Sequence, residues 1–394
     1  MENVIEIRKD DGWEIALSGR VDSTNAPRVE EELLRIVRSH PEEAPLINAE
    51  GLEYISSAGL RVLLHLRKQY PEMKIVEVRS EVYEIFDMTG FTEMMAVEKA
   101  YRRLSVDDCE IIGEGANGKV YRLDPETIIK VYKSNDALFA IKRERELARK
   151  AFVLGVPTAI PYDVVRVGDL YGSVFELLRS RSFAKILRLE PERTDELIRL
   201  SADLLRKIHS VELPLGELPN RKKIILMWTN DFEEFLPVEL MEKLRRMISD
   251  IPDNPHLLHG DYHMKNIMMN EGEPCLIDMD TLSQGDPIFE FMSMYSAYIG
   301  FNELDHSVAD SFLGIPFETC VHIFEETIRL YCGDGNEAHV REVVKRAEVL
   351  GQVRILGRSA RRRAKGLEPG DAQIARSTEL LLKLIPETDR LSFE

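Results

Sequence analysis

Four separated pieces of this chain occur in one order: a glycine-rich stretch at 113–120, a lysine inside an apolar run at Lys130, the octapeptide His259-Gly260-Asp261-Tyr262-His263-Met264-Lys265-Asn266, and Asp278 at the end of the next apolar run. Each alone reads as a turn, a cap or an edge-strand residue. Together they restrict the chain to folds that bring a glycine loop, a lysine and an acidic loop to one place.

The stretch Gly113-Glu114-Gly115-Ala116-Asn117-Gly118-Lys119-Val120 fits G-x-G-x-x-G-x-V. A dinucleotide fingerprint would need a helix after the glycines. Here Val120-Tyr121-Arg122-Leu123 follows, β-branched and aromatic, closed by Asp124-Pro125. The pattern is therefore strand–loop–strand. In it Gly113, Gly115, Gly118 and Val120 line a phosphate site, since glycines let backbone amides approach phosphate oxygens without a Cβ in the way. Lys130 stands among Ile128, Ile129 and Val131. A lysine inside a buried strand is costly unless paired, and contact with nucleotide α/β-phosphates and a helix glutamate supplies the pairing. The helix expected at 137–153 offers Glu144 and Glu146. Glu144 shares a face with Ala140, Ile141, Ala148 and Ala151, whereas Glu146 lies with Lys142, Arg149 and Lys150. Helical spacing selects Glu144 as the partner. The backbone of Glu176 and Leu178, at the end of an expected strand, is placed to meet a purine edge.

In the octapeptide, Asp261 suits acceptance of a proton from a substrate hydroxyl as a γ-phosphoryl departs. Asn266 lies five residues on, the spacing that joins a base to a metal asparagine in kinases. A strand, a turn at Asn270-Glu271-Gly272 and a second strand then lead to Asp278. Asn266 and Asp278 offer the hard oxygens that Mg²⁺ takes beside phosphates. His259 and His263 are expected to hold the loop by hydrogen bonds. The cofactors implied are ATP and Mg²⁺.

The chain has 394 residues, enough for two or three domains at ~100–200 residues each. Its net charge of −17 argues against binding nucleic acid or anionic membranes and is compatible with a cationic acceptor. Glu233, Glu234, Asp280 and Glu290 are candidates to face such an acceptor, while Arg354, Arg358, Arg361, Arg362, Arg363 and Lys365 read as cations near a helix end. Cys109, Cys275, Cys320 and Cys332 form no close pair, against a zinc or redox motif and for a reducing compartment. The first residues lack a basic-then-apolar leader, and no apolar run reaches the ~18 residues of a membrane helix. The expected location is cytoplasmic.

Before residue 104 the order is β-β-α-β-α-β-α, implying a mixed sheet covered by helices. Strands are expected at 4–7 and 13–18, joined by a turn at Asp11-Gly12. Helices are expected at 26–38, 58–68 and 80–87, the last opened by Ser80 as a cap. Two more strands fall at 45–49 and 73–78. Ser56 and Ser57, at a strand-to-helix turn, read as helix caps on spacing alone.

The runs Leu17-Ser18-Gly19-Arg20-Val21-Asp22, Tyr54-Ile55-Ser56-Ser57-Ala58-Gly59-Leu60 and Ile85-Phe86-Asp87-Met88-Thr89-Gly90-Phe91 resemble the STAS domain of anti-sigma-factor antagonists, over residues 1–104. The resemblance implies a docking or regulatory module with an anti-sigma-type protein partner, and Ser57 as a phosphoacceptor. Ser56 and Asn48 stand where that family usually has aspartates.

From 109 onward, H-G-D-x-H-x-x-N, then Ile277-Asp278-Met279-Asp280, resembles the aminoglycoside phosphotransferase and choline kinase group. Leu205-Arg206-Lys207-Ile208-His209 matches a helix of that group. H-R-D, D-F-G and A-P-E of protein kinases are absent, and Asp286 follows Asp278 too closely for an activation segment. In the resembling group Asp286 is a structural residue at a helix start. The resemblance implies an α/β STAS domain (1–104) followed by a protein-kinase-like α+β domain. That domain has a β-rich nucleotide-binding N-lobe (105–178) and a mostly helical C-lobe with the substrate pocket (179–394). The activity implied is ATP-dependent phosphorylation of a hydroxyl on a small molecule, with the STAS module as regulator. The alternative is a signalling kinase acting on a STAS serine, its own Ser57 or a partner's.

Overall fold

Trp13, Ile15 and Leu17 alternate along the chain and are all buried, so a half-buried strand forms there and a sheet extends from it. The computed structural model describes residues 3–9, 12–114, 118–134, 138–333, 336–367 and 370–394. Its contacts fall into two units, Met1–Leu104 and Ser105–Glu394.

The first unit runs β1 (Val4–Lys9), β2 (Gly12–Leu17), β3 (Gly19–Val21), α1 (Ala26–Arg38), β4 (Leu46–Asn48), β5 (Leu52–Ile55), α2 (Ser57–Gln69), β6 (Lys74–Val78), α3 (Ser80–Met88), α4 (Phe91–Met94) and β7 (Ala96–Lys99). The main sheet has the order β1-β2-β4-β6-β7, with β1 antiparallel to β2 and the other pairs parallel. β3 and β5 form a separate parallel pair. Val29, Leu33, Ile36 and Val37 of α1 join Leu60, Leu63 and Leu66 of α2 in the core. Asp11, expected in the first turn, lies outside the described residues.

Ser56, in extended conformation, caps α2: its Oγ accepts from the amides of Ala58 (3.2 Å) and Gly59 (3.5 Å). Ser57 is the first helical residue and is exposed. Ser80 does not cap α3. It is itself the first residue of that helix, one place too late, and the preceding Arg79 makes no side-chain cap. The Arg79 Nε instead donates to the Glu50 carbonyl at 2.8 Å.

The second unit begins with β8 (Glu110–Glu114), β9 (Gly118–Arg122), β10 (Thr127–Tyr132), α5 (Leu138–Val153), β11 (Pro161–Val167) and β12 (Leu170–Glu176). Its five strands form an antiparallel sheet in the order β11-β12-β10-β9-β8. Mostly helical chain follows: β13 (Ser180–Ser182), α6 (Phe183–Leu189), α7 (Thr194–His209), α8 (Arg221–Trp228), α9 (Val238–Ser249), β14 (Leu257–Leu258), β15 (Ile267–Asn270), β16 (Glu273–Leu276), β17 (Ser283–Gln284), α10 (Ile288–Tyr298), α11 (Ser307–Leu313), α12 (Phe317–Cys332), α13 (Glu337–Ala364) and α14 (Asp371–Leu384). β15 and β16 pair as a hairpin whose turn residues Glu271 and Gly272 both take positive φ, as a tight two-residue hairpin requires. α10 is buried along its whole length, and α13 packs against it. Among the described residues, no helix is long and apolar enough to cross a membrane.

The glycine in Ser56-Ser57-Ala58-Gly59-Leu60 has a steric cause. A Cβ at Gly59 would lie 2.7 Å from Ile55 Cγ1 and 2.8 Å from Val21 Cγ1, so α2 sits too close to β3 and β5 for any side chain there. Gly59→Ala is therefore expected to cost about 1–3 kcal/mol through overpacking, measured as a lowered first transition in denaturant unfolding of the full chain.

Candidate active site

The loop at 259–266 leaves β14 and enters β15. β14 is fixed by pairing with β17, Leu257 to Gln284 and Leu258 to Ser283. Below the loop, the fully buried carboxylate of Glu290 on α10 accepts two consecutive amides, His259 N–H at 2.7 Å and Gly260 N–H at 2.8 Å. Burial opposes ionisation of Glu290, but His209, His259 and Arg221 around it hold its carboxyl below the usual range. Glu290 is thus a support of the loop and does not face an acceptor, contrary to the expectation from its charge. Its position in the first turn of a wholly buried helix explains why.

Other bonds fix the remainder. His259 Nε2 lies 3.0 Å from the Ile277 carbonyl, and Asp261 N–H donates to His259 Nδ1 at 3.2 Å. Tyr262 Oη donates to the Ser201 carbonyl, and Met264 N–H donates to Tyr298 Oη. The Gly260 carbonyl accepts from the buried Arg221 (Nη2, 2.6 Å) and from Ser293 Oγ (2.9 Å). Gly260 has φ +82°, and a Cβ there would collide with Arg221 and lie 2.5 Å from the Thr281 carbonyl. The glycine after His259 is therefore demanded both by backbone conformation and by space.

Lys130 Nζ lies 2.8 Å from Glu144 Oε1 and 3.0 Å from Asp278 Oδ1. Tyr132 Oη donates to the other Glu144 oxygen at 2.6 Å. Glu144 is buried on α5 and Glu146 is exposed. Burial alone would discharge Lys130, but Asp278 and Glu144 outweigh it and hold the ammonium well above the usual lysine range. Asp278 lies beyond the end of β16 in a left-handed conformation, φ 66° and ψ 63°, uncommon for a residue with a side chain and tolerated by aspartate.

In the glycine-rich stretch, a Cβ at Gly118 would lie 2.2 Å from the Val131 carbonyl, so β9 and β10 can pair there only with glycine. Gly113 has room for a side chain. Gly115 lies outside the described residues. Val120 is in register with Lys130 across the ladder. After β12, the Glu176 amide donates to the Ile160 carbonyl and the Leu177 amide to the Glu126 carbonyl. The Glu176 carboxylate accepts from the Ile160 amide. The Leu178 amide donates to no acceptor among the described residues.

The donor set suits a hard divalent cation. Asn266 is buried, and its Nδ2 donates to the Asp261 carbonyl at 3.0 Å, which leaves its Oδ1 as the remaining donor atom. Near Lys130 three carboxylates crowd together. Burial, then repulsion from Asp278 and Glu144, pushes Asp280 up to about 7. Negative charge in excess of one lysine, carried on oxygen, is what Mg²⁺ requires. Among the described residues, no group of three His, Cys, Asp or Glu forms a metal cage; Mg²⁺ commonly uses only one or two carboxylates beside phosphates and water.

Asp261 retains 32% of its side-chain surface. Its Oδ1 accepts from Arg354 Nη2 at 3.0 Å, and its Oδ2 lies 3.5 Å from His263 Nε2. Burial acts against the charge, but His263 and Arg354 hold this carboxyl well below the usual carboxylate range. Arg354 also donates to Ser293 Oγ and reaches the Gly260 carbonyl. It lies well inside α13, away from the helix end at which the basic run was expected to act. Arg361, Arg362 and Arg363 alone occupy the last turn. Glu233 pairs with Arg245, and Glu234 with Arg363, so each already has a basic partner in the protein.

Arg221, Ser293 and Tyr132 were not singled out from sequence, and Arg354 was named only as a cation near a helix end. Arg354 carried a usable signal, because it stands in the apolar run Val353-Arg354-Ile355-Leu356, where an unpaired charge is costly.

Comparison with known proteins agrees with this architecture. The model of the phosphotransferase enzyme family matches residues 108–315, and that of the STAS domain matches residues 5–105. The putative anti-sigma factor antagonist BtrV of Bordetella bronchiseptica is 39% identical over 94 residues, covering 23% of this chain and 80% of that protein. Aminoglycoside phosphotransferase APH(4)-Ia is similar in structure with a TM-score of 0.48 at 12% identity, covering 71% of this chain and 94% of the other. A choline/ethanolamine kinase family protein from Mesorhizobium loti has a TM-score of 0.48 at 14% identity, covering 72% and 90%. The chain is an enzyme of the kinase type. It belongs to the phosphotransferase enzyme family and carries an N-terminal STAS domain.

Because Glu290 satisfies two buried amides, Glu290→Ala is expected to lower stability by about 3 kcal/mol, read from the C-terminal unit's transition in urea. Glu290→Gln should recover part of this loss, since one amide keeps an acceptor while the other meets an N–H.

Proposed function

We propose that the second unit transfers the γ-phosphoryl group of ATP, with Mg²⁺, to a hydroxyl of a small-molecule acceptor, and that the STAS unit regulates it from the cytoplasm. The observation that carries this reading is Lys130, held between Glu144 and Asp278 at 2.8 and 3.0 Å. In this reading residues 105–178 bind nucleotide and 179–394 carry the catalytic loop and acceptor pocket. Gly113, Gly115, Gly118 and Val120 cover the phosphates, Lys130 binds their oxygens, and the backbone at Glu176 and Leu178 meets the base, with the Leu178 amide as donor. Asn266 and Asp278 would hold Mg²⁺, which supplies neutralisation of phosphate charge when bound. Asp261 takes the proton of the acceptor hydroxyl as the new P–O bond forms and ADP leaves. His263 and Arg354 keep that carboxylate ionised beforehand.

A second reading is a signalling kinase whose acceptor is a STAS serine. It is favoured by Ser57: Ser56 does the capping, so the Ser57 hydroxyl is exposed on the first turn of α2, where a phosphate would meet the helix N-terminus favourably. Similarity to an anti-sigma factor antagonist supports the same reading.

Transfer from γ-labelled ATP, with small-molecule acceptors in one arm and STAS proteins in the other, separates the two. Asp261→Asn should lower kcat by about 10²–10⁴-fold with nucleotide affinity retained, and wild-type rates in that variant would refute the assignment of the base. Label that appears on protein and disappears in Ser57→Ala identifies the serine as acceptor; label confined to small molecules excludes it.

A further inference from the structure

Asp261 stands among charges of both signs. Toward Lys130 lie Asp278, Asp280 and Glu144. Arginines of α13 also bear on Asp261. Arg354 holds Oδ1 of Asp261, and its Nε donates to no acceptor among the described residues. Arg358 follows one helical turn later, exposed, with its guanidinium 4.8 Å from the Phe301 ring centroid. No carboxylate among the described residues lies within ion-pair distance of Arg358, whereas Arg361 is matched to Asp231 and Arg363 to Glu234 and Asp371. Arg221 adds a buried guanidinium beneath the loop.

A cationic acceptor approaching Asp261 would meet these guanidinium groups; of the acidic candidates, Glu290 is engaged under the loop, Glu233 by Arg245 and Glu234 by Arg363, and Asp280 stands with Asp278 and Glu144 near Lys130. Resting on the phosphotransferase reading above, we infer that the acceptor is a small hydroxy compound bearing an anionic group, a phosphomonoester or a carboxylate. Its hydroxyl meets Asp261 and its anion meets Arg354 and Arg358. A planar guanidinium with donors still open matches phosphate and carboxylate oxygens in pairs, and Phe301 keeps the Arg358 guanidinium in place. The step balances as acceptor hydroxyl plus ATP giving phosphate ester plus ADP, with the proton passing to Asp261.

The test measures binding to the full chain by calorimetry with a non-hydrolysable ATP analogue and Mg²⁺, and ADP release with ATP. Glycerol 3-phosphate and D-glycerate are the anionic probes, glycerol the neutral one, and choline and kanamycin the cationic ones. At least one anionic probe should bind or turn over at least 100-fold better than glycerol, choline or kanamycin. Glycerol 3-phosphate against D-glycerate distinguishes phosphate from carboxylate as the recognised group. In Arg358→Ala the KM for the preferred anion should rise at least tenfold, with the change falling mainly on KM, and Arg358→Lys should recover part of it. Preference for glycerol, choline or kanamycin overturns the inference and leaves the phosphotransferase reading intact. An unchanged KM in Arg358→Ala overturns it as well. Failure of the chain to bind the ATP analogue, or to release ADP with any probe, removes the phosphotransferase reading and this inference with it.

Discussion

The carboxylate of Glu290 fixes the loop on which the rest of the site depends. It receives the amides of His259 and Gly260 from below, so the loop starts its turn at a set height above α10. Gly260 then takes a left-handed conformation, its carbonyl is gripped by Arg221 and Ser293, and Asp261 emerges beyond it. A charged acceptor of two backbone amides in a dry interior is strong and directional. Because α10 is buried throughout, the loop borrows the rigidity of the core, which is the condition for holding a reacting group in place.

The site is assembled from elements far apart in sequence. β10 supplies Lys130, α5 supplies Glu144, the chain after β16 supplies Asp278, and α13 supplies Arg354. Lys130 keeps its charge only because Asp278 and Glu144 offset its burial. Asp261 keeps its charge because His263 and Arg354 do the same in the opposite sense. The centre is a balance of buried charges in which removal of one partner strands another.

Much of this was legible in the chain. The helices α1 and α5 and the β15–β16 turn follow from spacing and turn residues, since amphipathic periodicity and left-handed positions are local properties. The short strands β3, β5 and β7 were missed because three or four residues are too few to show a period of two. Ser80 was misplaced by one residue, because capping depends on the backbone angles of its neighbour as much as on its own hydroxyl. Glu290 was misread as facing a cation and Arg354 as facing a helix dipole, whereas Arg361, Arg362 and Arg363 do stand in the last turn of α13. The partners of Glu290 and Arg354 are fixed by packing across the C-terminal unit, and composition alone does not state which charges meet. The reasoning that picked out Lys130, a charge in an apolar run that must be matched, applies equally to Arg354.

The stretch shared with the phosphotransferase family ends at residue 315, whereas α13 begins at Glu337. The residues proposed to handle ATP and the catalytic loop all lie within that stretch. The guanidinium groups that border the base come from a helix outside it. The charge beside Asp261 is thus set from a helix beyond that stretch, while the loop that carries Asp261 is anchored on α10 inside it.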